Sequence, residues 1–351
     1  MAGFCPHCMT EHETGVGACP ACGGDMMATN EPFQLPAGKI LVSPNGNQYL
    51  VGRVLGSGGF GITYVSREMN SGRLCAVKEF FPIRCQPQRQ ADGSVYIPAQ
   101  SEELFYNGMK NFLLEAQTLS SLAHIPSVVK IQDYFEANGT AYTVMEYLKG
   151  ETLQQHLKAH GTEPFSMLIS QMRPLLKDMQ AMHDAGVVHR DVAPDNIVML
   201  PDGSFRLIDF GCARFWEDGK SMTVMLKPGF CPPEQYLRHG QGPFTDVYGL
   251  CATLYYCITG QVPLDAPNRL EEDALARPSS LGAKISAQHE AALLRGLNPQ
   301  PKERTQSVTQ LMQEMEGPRP NPVGLLDVLK KKLKALLEKM IRALDSTGTG
   351  K

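Results

Sequence analysis

The sequence predicts an α+β chain of two lobes, a β-rich half followed by an α-rich half, with a small cysteine-rich module ahead of them. Three observations carry this. Between Tyr49 and Tyr147, short β-branched and apolar runs alternate with turn signals. Beyond Gly150, apolar residues recur at helical spacing. Four of the ten cysteines fall within the first 22 residues, as two CxxC pairs. At 351 residues, 42% hydrophobic and 20% charged, the chain has the length and composition of one large domain plus a small module, not of a disordered polymer. A formal charge of −3 supplies no whole-protein field for nucleic acid. No run approaches the ~18 apolar residues of a membrane span. The opening Met1-Ala2-Gly3-Phe4-Cys5 lacks the charged-then-apolar order of a secretory signal, so a cytoplasmic protein is expected.

Residues 1–27 are too short and too poor in apolar runs to bury a core, and need a staple. Cys5-Pro6-His7-Cys8 and Cys19-Pro20-Ala21-Cys22 supply one: four thiolates on two tight turns suit tetrahedral Zn2+. Two disulfides, or reactive thiols, are the competing readings, disfavoured by a cytosolic address and two paired knuckles. With both pairs intact, His7 and His12 are read as bystanders. The module resembles a zinc ribbon. It has no Lys or Arg before Lys39, which argues against nucleic acid and for a docking partner.

Residues 28–48, with Pro32, Pro36 and Pro44, read as a linker. Over 49–148, strands are expected at 49–55, 62–65 and 74–81, then at 128–135 and 141–147. A helix carrying Phe112, Leu113, Ala116, Leu119 and Leu122 lies between the two sets. Over 149–316 the pattern is mostly helical, with long helices near 167–185 and 247–259. Residues 317–351 hold an amphipathic helix and a tail. Leu326, Leu329, Leu333, Leu336 and Met340 form its stripe and five lysines surround it. With Asp327 and Glu338 present and no aromatic anchor, packing on protein is favoured over contact with an anionic membrane.

The chemistry concentrates in three places. Gly56-Ser57-Gly58-Gly59-Phe60-Gly61 follows a predicted strand, and glycines let backbone amides approach phosphate oxygens closely. A strand, Ile62-Thr63-Tyr64-Val65, follows it, which disfavours a dinucleotide fingerprint opening a helix. Cys75-Ala76-Val77-Lys78 ends an apolar strand in a lysine, with Glu115 on the next helix as a candidate partner. Between Val187 and Gly211 stand His189-Arg190-Asp191 and Asn196, spaced HRDxxxxN, and then Asp209-Phe210-Gly211. A carboxylate to orient a hydroxyl, with an Asn and an Asp for magnesium, is what phosphoryl transfer requires.

Here the sequence resembles the eukaryotic-like serine/threonine protein kinases, in their bacterial branch. The resemblance covers 49–316, with lobes at 49–148 and 149–316, and its elements stand in the family's order. They include the hinge-like Met145-Glu146-Tyr147-Leu148, Pro232-Pro233-Glu234, Asp246-Val247-Tyr248, and Arg304 as ion-pair partner of Glu234. It implies a bilobal protein-kinase fold and transfer of the ATP γ-phosphate to Ser or Thr of protein substrates, regulated by autophosphorylation. Lys78 would hold the α- and β-phosphates and Glu115 would hold Lys78. Asp191 would be the base, and Asn196 and Asp209 would bind Mg2+ or Mn2+. The backbone from Gly56 through Ser57, Gly58, Gly59 and Phe60 to Gly61 would cover the phosphates. Thr63, Ala76 and Val198 would line the adenine site. Glu146 and Leu148 would meet adenine through their backbones, with Met145 as gatekeeper.

Two positions depart from the family. The lysine usual two residues after the catalytic Asp is Ala193, and Asp195 excludes the tyrosine-kinase pattern. Seven residues before Glu234, where threonine is usual, stands Lys227. We expect Lys227 to supply the missing ammonium from the opposite loop. The alternatives are a solvated loop lysine and, at the level of function, a nucleotide-binding pseudokinase. Cys251, in place of a common glycine, and a long stretch from Phe80 to Asn107 are lesser departures. Arg190 beside Asp191 points to an anion, with Ser221 and Thr223 as candidate phosphorylation sites.

Overall fold

The computed structural model describes residues 3–12, 17–210, 214–215, 226–237 and 239–316. The predicted helix over 322–344, Ser221, Thr223 and Gly211 lie outside them.

The chain opens with a two-stranded hairpin, β1 (Gly3–Phe4) and β2 (Glu11–His12). A six-stranded antiparallel sheet follows, built from β3 (Ile40–Val42), β4 (Gln48–Ser57), β5 (Gly61–Glu68), β6 (Leu74–Phe80), β9 (Ile131–Ala137) and β10 (Thr140–Glu146), in the order β3-β4-β5-β6-β10-β9. The hairpin β7 (Gln88–Arg89) and β8 (Val95–Tyr96) lies between β6 and the helix α1 (Glu102–Ser121). Phe105, Met109 and Phe112 of α1 pack with Phe80 of β6 in the core of this lobe, Phe80 to Phe105 at 5.1 Å between ring centres.

The stretch 28–48 is not a linker. Ile40 pairs with Leu50 and Val42 with Gln48, which adds an edge strand to the sheet. Leu35 is fully buried, and its N–H donates to the Tyr64 hydroxyl at 3.0 Å. Three apolar residues between prolines are too short a run for periodicity to register. The strand exists because β4 offers it an unpaired edge.

The long stretch from Phe80 to Asn107 is held by a buried polar network that sequence periodicity does not show. Glu79 follows Lys78 on β6, so it faces the opposite side of the sheet. Its carboxylate, buried to 0% exposure, takes a two-pronged ion pair from Arg89 of β7 at 2.7 and 2.6 Å. Tyr64 and Tyr142 each donate a hydroxyl to it at 3.0 Å. Arg89 also donates to the carbonyls of Phe33 and Gly93. One carboxylate thus ties the hairpin, two strands and the N-terminal stretch together.

The second lobe is helical: α2 (Leu153–His160), α3 (Phe165–Asp184), α4 (Pro233–Leu237), α5 (Pro243–Thr259), α6 (Ala287–Gly296) and α7 (Val308–Glu316). Short strands β11 (Glu151–Thr152), β13 (Ile197–Met199) and β14 (Phe205–Leu207) form one small sheet, and β12 (Val187–Val188) pairs with β15 (Arg214–Phe215). Thr152 opens α2 with a capping box to Gln155. α5 starts with Pro243 at its first turn and ends on Gly260 at φ 71. Every residue over 245–255 is buried, which marks α5 as the axis of the lobe. Cys251 fits there because Gly296 of α6 has no side chain to meet its sulfur.

Candidate active site

The site forms where the sheet faces the segment 187–210. β6 and the glycine loop supply the roof. Gly61 is required by packing: a Cβ there would run into the carbonyl oxygen of Glu79. Gly56 and Gly58 differ, since a Cβ on either would meet nothing within 4 Å. No neighbour among the described residues calls for glycine at those two positions.

Lys78 Nζ donates to Asp209 Oδ1 at 2.7 Å. Glu115 lies on α1, the helix whose Phe112 ring centre is 6.0 Å from the Lys78 ammonium. Asp209 holds a left-handed φ of 58, and its carboxylate is half-exposed in the cleft. Lys78 beside it pulls its pKa down to about 2, so it is ionised.

The loop 189–196 is built around Asp246 of α5. Its buried carboxylate accepts the backbone N–H groups of His189 at 2.8 Å and Arg190 at 2.7 Å, and His183 Nε2 at 2.8 Å. Burial pushes its pKa up, but these donors overcome that and hold it below the ordinary value. Arg190 is fixed at φ 66, and its carbonyl accepts Gln235 Nε2 at 2.6 Å. His189 is fully buried, which lowers its pKa and keeps the ring neutral. Its Nε2 donates to the Ile208 carbonyl and its Nδ1 accepts the Asp191 N–H, both at 3.2 Å. The ring sits 4.3 Å from that of Phe210. The Asp191 loop and the Asp209 segment are thereby joined through one histidine.

Asp191 is the centre of the arrangement. Asn196 Nδ2 donates to its Oδ2 at 2.7 Å and to its carbonyl at 2.9 Å. Lys227 Nζ stands 3.1 Å from the same Oδ2 and 2.9 Å from Asp195 Oδ1. Burial pushes the Asp191 carboxyl up to about 7, against the pull of Lys227. Lys227 is raised above its ordinary value: burial acts against its charge, and Asp191 and Asp195 outweigh it. Ala193 is buried and carries no charge to the site. In the sequence Asp195 serves only to exclude a tyrosine-kinase pattern. Nothing in a linear pattern pairs it with a lysine 32 residues later.

Below the site, Arg304 makes a two-pronged, buried ion pair with Glu234 at 2.6 and 3.1 Å. At the hinge, Glu146 N–H donates to the Lys130 carbonyl, and Gly150 N–H to the Leu148 carbonyl. Ala76 and Val198 are buried and Thr63 half-buried.

A second cluster lies in the N-terminal module. The four thiols of Cys5, Cys8, Cys19 and Cys22 lie within 4.8 Å of one another. Cys5 to Cys22 is 3.7 Å and Cys8 to Cys19 is 3.8 Å. Tetrahedral zinc with bonds of about 2.3 Å sets sulfurs about 3.8 Å apart, so the four residues fit that ion. Backbone N–H groups of His7 and Gly24 point to Cys5 and Cys22 sulfurs, each at 3.4 Å. His12 Nε2 lies 3.1 Å from Cys19 Sγ, beside the cluster. The module rests on the sheet. Arg53 N–H donates to the Pro6 carbonyl at 2.7 Å, Arg67 to the Met9 carbonyl at 3.2 Å, and Met9 is buried with Leu50 and Val65.

A curled antiparallel sheet over a helical lobe, with a lysine, two aspartates and an asparagine brought between them, is the two-lobed protein-kinase fold. Residues 49–343 match the family described as the protein kinase domain, and the chain belongs to that family. It is 30% identical over 284 residues to serine/threonine-protein kinase PknB of Mycobacterium leprae, covering 77% of this chain and 42% of that protein. It is 28% identical over 281 residues to serine/threonine-protein kinase F of Synechocystis, covering 78% of this chain and 56% of that one. The chain thus spans about half the length of these curated relatives. A solved structure described as the PpkA-294 apo form superposes with a TM-score of 0.70 at 28% identity, covering 81% of this chain and 99% of that one. Among the described residues no helix is long and apolar enough to cross a membrane.

Proposed function

We propose that the chain is an ATP-dependent kinase that phosphorylates Ser or Thr of protein substrates. The observation that carries this is the convergence on Asp191: a buried carboxylate held by Asn196 and Lys227, facing the Lys78–Asp209 pair across the cleft. In the reaction the substrate hydroxyl oxygen bonds to the γ-phosphorus, and the bond from that phosphorus to the β,γ-bridging oxygen breaks. ADP leaves, and the hydroxyl proton passes to Asp191. A carboxyl poised near 7 suits that transfer.

Lys78 holds the α- and β-phosphates, with Glu115 as its partner on α1. The 56–61 backbone covers the phosphates, and the hinge at Met145, Glu146 and Leu148 receives adenine against Thr63, Ala76 and Val198. Asn196 commits its NH2 to Asp191 and keeps an amide oxygen. With the ionised Asp209 it forms the oxygen donor set that Mg2+ or Mn2+ prefers, and such a cation neutralises phosphate charge. Lys227 supplies the ammonium that Ala193 lacks.

The four-cysteine cluster takes structural zinc, with the module at 1–27 as a platform for a docking partner. Its sulfur spacing and its seat on the sheet support that reading. Residues 49–316 are proposed as the kinase domain proper, with 28–48 contributing to its first lobe.

The test is phosphate incorporation from ATP and magnesium, mapped by mass spectrometry. Wild type should carry phosphate on Ser or Thr. Asp191→Ala should lose turnover by about 10²–10⁴-fold with nucleotide binding retained. Binding without any incorporation in wild type would make the chain a pseudokinase.

A further inference from the structure

The catalytic loop carries no ammonium of its own, because residue 193 is a buried alanine. The charge arrives instead on the stem of Lys227, from a separate turn of the same helical lobe. A lysine stem has many rotamers, so an ammonium that must sit beside one carboxylate needs its position fixed.

The backbone end is fixed by the turn. Lys227 N–H points to Cys231 Sγ at 2.9 Å, and its carbonyl accepts the N–H groups of Phe230 at 3.0 Å and Cys231 at 3.1 Å. Gly229 adopts φ 84, and a Cβ there would strike Val262 and the Pro263 carbonyl. Its N–H reaches Asp265 Oδ1 at 3.3 Å, and the Tyr236 hydroxyl donates to that same oxygen. The turn is locked against the loop that follows α5.

The charged end is fixed by Asp195. Nζ lies between Asp195 Oδ1 at 2.9 Å and Asp191 Oδ2 at 3.1 Å. Asp195 is 43% exposed on its side chain, so it is not a core residue whose loss empties a cavity. Asp191 already accepts Asn196, so an ammonium with no second carboxylate would close down on Asp191 alone and tie up the base.

We infer that Asp195 is a positioning residue, which holds the Lys227 ammonium beside Asp191 and splits between two loops the role of a single catalytic-loop lysine. This rests on the kinase reading above. It makes turnover depend on the Lys227–Cys231 turn being seated, because the required charge belongs to that turn.

The experiment measures steady-state phosphorylation by the full chain, with Asp191→Ala as the blank. Wild-type turnover absent at the level of that blank counts against the kinase reading itself. With turnover present, Asp195→Asn should lower kcat by about tenfold with KM for ATP within about twofold, and Asp195→Glu should recover most of it. Unchanged kcat in Asp195→Asn, or a rise in KM alone, overturns the inference. Moving the charge supplies an independent arm. In Ala193→Lys with Lys227→Thr, turnover should return and become indifferent to Asp195→Asn. If that variant fails to fold, the double-mutant cycle of Asp195→Asn with Lys227→Met decides. Non-additive losses support the pairing and additive losses overturn it.

Discussion

A carboxylate, an amide and an ammonium meet at Asp191, the first two from one motif and the third from a different part of the chain. Asn196 follows from a motif spacing, while Lys227 arrives from a separate turn of the helical lobe. The glycine loop shows how one motif mixes roles. Gly61→Ala forces a methyl group into the Glu79 carbonyl, so it should cost about 1–3 kcal/mol, read as a lower denaturation midpoint. Gly58→Ala meets open space and should leave that midpoint within about 0.5 kcal/mol. Its effect should appear in KM for ATP, because the methyl group would stand where the phosphates approach. Equal stability losses in the two variants would refute the distinction.

Among elements, α2 and α4 carry charge arrangements with measurable consequences. His156 of α2 is engaged at both ring nitrogens, by Glu151 at 2.8 Å and Glu163 at 3.1 Å. The Glu151 carboxylate, helped by Glu163 and opposed by partial burial, raises its pKa above the ordinary value. A histidine raised on folding stabilises the fold fully below its unfolded pKa of about 6.5, and that contribution fades as pH climbs through the higher folded value. The melting-temperature gap between wild type and His156→Gln should therefore be wider at about pH 5.5 than at about pH 8.5, on either side of the titration. A gap independent of pH would refute it. Beneath α5, the Glu234–Arg304 pair is buried on both sides. Arg304→Ala leaves a buried carboxylate unmatched and should cost about 3–5 kcal/mol by denaturant unfolding. The Glu79–Arg89 pair behaves alike in the other lobe: Arg89→Ala should destabilise the sheet and release the β7–β8 hairpin to hydrogen exchange.

At the scale of the whole molecule, the cysteine module and the kinase domain share a packed boundary. Met9, 1% exposed, is buried with Leu50 of β4 and Val65 of β5, and Tyr147 of the hinge packs on the same cluster. Met9→Ala should cost about 2–5 kcal/mol while zinc content, measured by elemental analysis, stays at wild-type level. Cys8→Ser should lose both zinc and that stability. Zinc retained in Cys8→Ser would contradict the four-thiolate reading.

Much of this is legible without coordinates. The two lobes and the grouping of Asp191, Asn196 and Asp209 are expected from patterns along single elements and from residue types at short spacing, whereas the Arg304 partner of Glu234, 70 residues away, is expected only through the family resemblance. The edge strand at 40–42 reads as linker in the sequence, since three apolar residues do not make a period. The Glu79–Arg89 network, the seat of Met9 and the bridge from Asp195 through Lys227 to Asp191 have no linear signal at all. They join residues from separate loops and strands, and buried or shared charge is decided by which surfaces exclude water together. Local chemistry was determined by the sequence; the placement of each ammonium and carboxylate was decided by the tertiary structure, because only packing sets distance and desolvation.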